Sequence, residues 1–125
     1  MSDPGQMLLD VRRLERQLAH FAAERNWETF HSPKNLVMAL TGEVGELNEI
    51  FQWLTEEESR GAGDDPRTRE AVREELADVL LYLVRLSTVL GVDLDQAVRH
   101  KLVLNARKYP VHKAKGSAAK YDPTG

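Results

Sequence analysis

Four acidic residues come in two pairs of the same spacing, Glu43 with Glu46 and Glu75 with Asp78. A separation of three puts both members of a pair on one face of an α-helix, so two such helices packed antiparallel would gather four carboxylates. A pair of this kind is, on its own, most often a solvated helix face. The flanking rows argue otherwise: Ala39, Ile50 and Trp53 bracket the first pair, and Ala71, Tyr82 and Val89 bracket the second. A carboxylate lodged among apolar neighbours is costly to keep charged unless a cation or donor meets it. The pattern therefore predicts bound cations. With no cysteine in the chain the donors are oxygens, which favour hard ions, Mg2+ or alternatively Mn2+, that join carboxylates to phosphate oxygens and water.

Two glycines, Gly42 and Gly45, sit in the helix of the first pair, where each costs about 1 kcal/mol relative to alanine. Close helix packing and room for an ion or phosphate both account for them. Trp27 and Trp53 are the only tryptophans, and the ordinary role of a tryptophan is to anchor a core. Lys101, Asn105 and Lys108 fall on one face of a later helix, a pattern that ordinarily means solvated charge.

The elements that must carry these residues are helical, because no segment sustains the alternation of a strand. Proline and glycine divide the chain into four amphipathic segments. The first helix is predicted from Pro4 to Arg25, with Asp3 as cap and a stripe of Leu8, Val11, Leu14, Leu18 and Phe21. The second starts at Ser32-Pro33, carries Leu36, Leu40, Val44, Leu47, Phe51 and Leu54, and frays through Glu56 to Ser59. A loop at 60–66 leads to a third helix, started by Asp65-Pro66 and stopped after Leu90 by Gly91. Asp93, with Gln96 completing a box-like start, caps the last, which reaches Tyr109 before Pro110. The third helix has no charge from Val79 to Val84, more apolar circumference than one small bundle covers, which predicts a homo-oligomer.

The chain has 125 residues, 42% apolar and 30% charged, which suits one compact all-α domain, 1–110, followed by a flexible basic tail, 111–125. A net charge of −3 argues against a nucleic-acid partner, which would need a broad basic surface. The absence of a long apolar run or a secretory pattern argues against a membrane and for the cytoplasm. An acidic pocket still suits a polyanionic small molecule when divalent ions reverse its sign.

Glu43-Val44-Gly45-Glu46 followed by Glu75-Leu76-Ala77-Asp78 resembles the signature of the MazG-like nucleotide pyrophosphohydrolases. The likeness extends through Phe21 to Trp53, Glu74 to Leu86 and Lys101 to Pro110, and is greatest to the branch acting on deoxycytidine triphosphates. It implies a MazG-like helical bundle, Mg2+ dependence, a homotetramer, and hydrolysis of dCTP and base-modified dCTP to monophosphate and pyrophosphate. It also implies that Glu43, Glu46, Glu75 and Asp78 hold metal and that Trp27 through His31, Trp53 and Tyr82 contact substrate. Lys101, Asn105 and Lys108 would meet phosphate and sugar. A flat pocket of Trp27, Phe30, Trp53 and Tyr82 would stack a pyrimidine, and His31 would hydrogen-bond base or phosphate. Two departures stand out: Gly42 replaces the acidic residue usual in the wider family before Glu43, and Leu18 stands where the animal enzymes have a histidine. Competing expectations are a broad-specificity house-cleaning pyrophosphatase and a non-catalytic helical interaction module. A ferritin-like di-iron site is disfavoured because neither Glu43 nor Glu75 has a histidine three residues on.

Overall fold

The computed structural model describes residues 9–119, all of whose regular elements are helices. Contacts divide the chain into two compact units between Val92 and Asp93.

In the first unit, helix α1 spans Val11–Glu24, and Asp10 caps it by accepting a hydrogen bond from the Arg13 amide at 2.9 Å. The predicted start at Asp3 and Pro4 lies outside the described residues. The end of α1 is set by one residue. Asn26 takes a left-handed φ of 53°, a conformation that asparagine tolerates better than most side chains. The amides of Asn26 and Trp27 then close back onto the carbonyls of Ala23 and Ala22 at 3.1 and 2.9 Å, the paired bonds of a Schellman stop. The chain folds back so that Trp27 meets Phe21, ring centroids 5.7 Å apart and edge to face. A single 3₁₀ turn, Glu28–Phe30, follows.

Helix α2 covers Pro33–Phe51 with Ser32 as cap and proline at its first position, as the sequence predicts. Asn35 Nδ2 also donates to the Phe30 carbonyl at 3.1 Å, tying the 3₁₀ turn to the start of α2. The expected fraying of α2 is corrected. α2 stops at Phe51, and Glu56–Arg60 forms a separate short helix, α3, because Thr55 and Glu58 make a reciprocal capping box.

Helix α4, Arg69–Leu90, begins later than its Asp65-Pro66 signal predicts. The Asp65 carboxylate is taken by the Arg67 amide and guanidinium at 2.8 Å, which makes a turn of residues 65–68 before the helix proper. That arginine holds the Asp65 carboxyl down at about 2. Gly91, at a φ of 71°, stops α4 where expected.

α2 packs along α4, and α1 lies against α4. Leu36, near the start of α2, sits with Leu81, Tyr82 and Arg85, whereas Leu47 and Phe51, near its end, sit with Val72 and Leu76. The pair is therefore antiparallel, which sets the two acidic motifs opposite each other. The buried apolar core is small: Ala22, Leu36, Ala62, Val72 and Val84 among the described residues. Much apolar surface stays open to solvent, including Val37, Met38 and Val44 on α2 and Leu76, Leu83 and Leu90 on α4.

The second unit contains α5, Leu94–Lys108, capped by Asp93 through the Gln96 amide at 3.0 Å. After Pro110, the stretch read from sequence as tail opens with a short helix, α6, Val111–Ala114. The four long helices are thus the predicted ones, with α3 and α6 added. No described helix is long and apolar enough to cross a membrane.

Candidate metal and ring-binding site

The antiparallel seam brings Glu43 of α2 together with Glu75 and Asp78 of α4, each offering a carboxylate oxygen within 4.8 Å of the others. All three are half-buried. Glu43 Oε2 and Glu75 Oε2 are both shut off from solvent and have no hydrogen-bond donor. Two orphaned carboxylate oxygens side by side are expensive, and a cation removes the cost. Glu46, the fourth predicted ligand, is exposed and stands outside this trio, although its charge reaches both glutamates.

The electrostatics follow from the crowding. The interaction with Glu43 pushes the Glu75 carboxyl up to about 7, aided by burial and then by Glu46. For Glu43 the interaction with Glu75 pulls downward. Burial and the charges of Glu46 and Asp78 outweigh it, and the carboxyl stays above its usual range. Three oxygen donors with no nitrogen or sulfur among them, two lacking any proton donor, fit Mg2+ or Mn2+.

Next to this trio is a cavity of about 170 Å³, lined by Leu18, Phe21, Trp27, His31, Leu36, Asp78, Leu81, Tyr82 and Arg85. Asp78 belongs to both features. The Schellman turn delivers Trp27 and the 3₁₀ turn delivers His31, whose ring lies 6.2 Å from that of Trp27. Asp78, Tyr82 and Arg85 come from successive turns of one face of α4. Arg85 Nε donates to His31 Nδ1 at 3.1 Å across 54 residues of sequence. Burial first, then the Arg85 charge, lowers the pKa of His31, with Glu28 opposing, so the imidazole is neutral near pH 7.

Of the residues predicted to contact substrate, Trp27, His31 and Tyr82 share this cavity. Phe30, 65% exposed, and Trp53, 86% exposed, do not line it. Lys101, Asn105 and Lys108 are exposed along α5 of the second unit. Leu18 lines the cavity, as do Phe21, Leu36 and Leu81. Arg85 was missed by sequence reasoning. Its signal was present: it ends the uncharged run of α4 and falls on the face of Asp78 and Tyr82. A Cβ added at Gly42 or Gly45 would meet nothing within 4 Å, so close packing within this chain does not explain either glycine.

Comparison with known proteins adds to the geometry. The model of the MazG-like family matches residues 39–123. The chain is 55% identical over 114 residues to dCTP pyrophosphatase 1 of Bos taurus and 53% identical over 118 residues to that of Homo sapiens. These alignments cover 91% and 94% of this chain but 66% and 68% of the relatives, so the chain spans about two thirds of their length. A crystal structure of a pyrophosphatase from Archaeoglobus fulgidus is similar with a TM-score of 0.74 and 38% identity, over 82% of this chain and 94% of that one. Both acidic motifs and the cavity residues of α4 fall inside the matched region, and this chain belongs to the MazG-like family.

Proposed function

We propose that this protein hydrolyses a deoxynucleoside triphosphate, dCTP or base-modified dCTP, to the monophosphate and pyrophosphate with Mg2+ as cofactor. The observation that carries the reading is Asp78, which belongs at once to the carboxylate trio and to the aromatic-walled cavity. A substrate suited to both must join a polyanionic part to a flat ring, which is the description of a nucleotide. The relatives named dCTP pyrophosphatase supply the base and the bond cleaved.

Glu43, Glu75 and Asp78 would hold the metal, with Glu46 at its edge. A divalent ion bound there would neutralise phosphate charge and make water a better nucleophile near neutral pH. Trp27 and Tyr82 offer apolar ring faces to the base, and the neutral His31 offers a hydrogen bond. Phe30, exposed beside Trp27 and His31, is assigned to the edge of the cavity, and on the family pattern Trp53 is assigned to substrate contact and Lys101, Asn105 and Lys108 to the phosphates and sugar. We assign 1–110 to the enzymatic domain and 111–125 to a tail, and place the enzyme in the cytoplasm. The open apolar surface of α2 and α4 supports a homo-oligomer, on the family pattern a tetramer.

The test is pyrophosphate release from each common dNTP and NTP, with Mg2+ and with EDTA, alongside Asp78→Asn. Release of pyrophosphate and dCMP from dCTP, abolished by EDTA and reduced on the order of 10²-fold or more by Asp78→Asn, is the expected result. Equal rates across bases would replace it with a broad house-cleaning pyrophosphatase. No turnover of any nucleotide would leave a helical interaction module.

A further inference from the structure

Arg85 is a charged side chain in a cavity otherwise walled mostly by apolar and aromatic groups, and no acidic side chain pairs with it among the described residues. Half-buried guanidinium groups need acceptors, because their desolvation is otherwise uncompensated. The structure supplies one, His31 Nδ1, which takes the Nε–H at 3.1 Å. That bond has two consequences. It requires His31 Nδ1 to be unprotonated, which puts the proton of the neutral ring on Nε2 and makes that nitrogen a donor. It also leaves the Nη1 and Nη2 N–H groups of Arg85 for something else. The two side chains together therefore present donors and no acceptor to whatever fills the cavity.

We propose that Arg85 is the base-selecting residue of this site, reading the acceptor edge of a cytosine ring with His31 held beside it in the donor tautomer. The inference rests on the nucleotide reading above and deepens it. Cytosine offers two adjacent acceptors, O2 and N3, which a guanidinium fork can meet together. Thymine and uracil carry a proton on N3, which would face the arginine donor to donor. Guanine also has an adjacent acceptor pair, O6 and N7. The cavity, about 170 Å³, has room for a single six-membered ring, the size of a pyrimidine. Among the pyrimidines the donor pattern thus selects cytosine. A ring filling the cavity with its acceptors on Arg85 would lie near Asp78, the residue shared with the metal trio, so its triphosphate starts next to the carboxylates.

The experiment measures kcat and KM for dCTP and dTTP with the full chain and Mg2+ in wild type, Arg85→Gln and Arg85→Lys. Arg85→Gln keeps a planar hydrogen-bonding head and loses the charge and the fork. Arg85→Lys keeps the charge and the aliphatic stem that packs in the cavity, so it tests the fork even if the glutamine variant folds poorly. Both are expected to raise KM for dCTP and to shrink the dCTP-to-dTTP ratio of kcat/KM by about tenfold or more, the discrimination of one good bidentate contact. A ratio unchanged in both variants would overturn the assignment. An equal fall for the two nucleotides would also overturn it, because a merely structural arginine does not distinguish bases. If wild type itself turns over no dCTP, or shows no preference for it, the function proposed above fails rather than the role of Arg85.

Discussion

The Glu75 carboxyl, raised to about 7, would make metal binding at the proposed site a proton-release event with a size that can be worked out. A metal ligand must be deprotonated, so the apparent affinity for Mg2+ scales with the ionised fraction of each donor. A group with a pKa of about 7 is ionised in roughly one molecule in eleven at pH 6 and roughly ten in eleven at pH 8, so Glu75 alone weakens Mg2+ binding about tenfold between them. Glu43, also raised, steepens the dependence. The assay is isothermal titration of Mg2+ into the metal-free protein at pH 6 and pH 8, in two buffers of different ionisation heat. Release of about one proton per site is expected at pH 6 and close to none at pH 8. Glu75→Gln should bind more weakly and lose most of the pH dependence. The same shift has a sign for folding. Because the native Glu75 lies above the 4.5 of an unperturbed glutamate, the native state holds more protons between 4.5 and about 7. Its contribution therefore makes the metal-free chain less stable as pH rises through that window. The lowered pKa of His31 works the opposite way, so the measurement is the difference between wild type and Glu75→Gln in EDTA. An Mg2+ affinity flat from pH 6 to pH 8, with no proton released, would refute the crowded, orphaned carboxylates on which the site is built.

Two further outcomes are expected. Asn26 is the one non-glycine residue at positive φ among the described residues, so Asn26→Ala should cost about 1 kcal/mol while Asn26→Gly costs little, read by chemical denaturation. The alanine variant should also raise KM, because that turn delivers Trp27 and His31 to the cavity. Trp53→Ala, at a side chain 86% exposed, should leave stability within about 0.5 kcal/mol and reduce the preference for dCTP. Unchanged selectivity would remove Trp53 from the substrate site.

What the sequence made legible is what period and punctuation encode. The rows through Glu43 and through Glu75 and Asp78 were readable as faces of two antiparallel helices, and three of the four acids meet there. Helix stops at Gly91 and starts at Ser32-Pro33 and Asp93 were equally plain, because each rests on one residue's local chemistry. Competition was harder to see. Asp65 could cap a helix or bind its neighbour Arg67, and the bidentate pair won. Thr55 and Glu58 had the spacing of a capping box, yet the apolar stripe running on to Leu54 hid the break at Phe51. Arg85 was legible only in part: its place on the face of Asp78 and Tyr82 was in the sequence, but its partner His31 lies 54 residues away, and nothing in local periodicity announces a contact of that range. The aromatic cluster was half legible, since Trp27 and Tyr82 were named but only the left-handed Asn26 explains how Trp27 reaches Phe21.

The seam between α2 and α4 is apolar at both ends and acidic in the middle. That order fixes the longitudinal register of the two helices. Sliding one past the other by a single turn, about 5.4 Å, would set Glu43 against Val72 or Tyr82 and strand Glu75 and Asp78 against aliphatic neighbours. A uniformly apolar seam would tolerate such a slip, much as an all-leucine coiled coil tolerates several alignments that one buried polar residue forbids. The carboxylates that weaken the isolated chain thereby leave α2 and α4 a single alignment, and a cation bound between them would lock it.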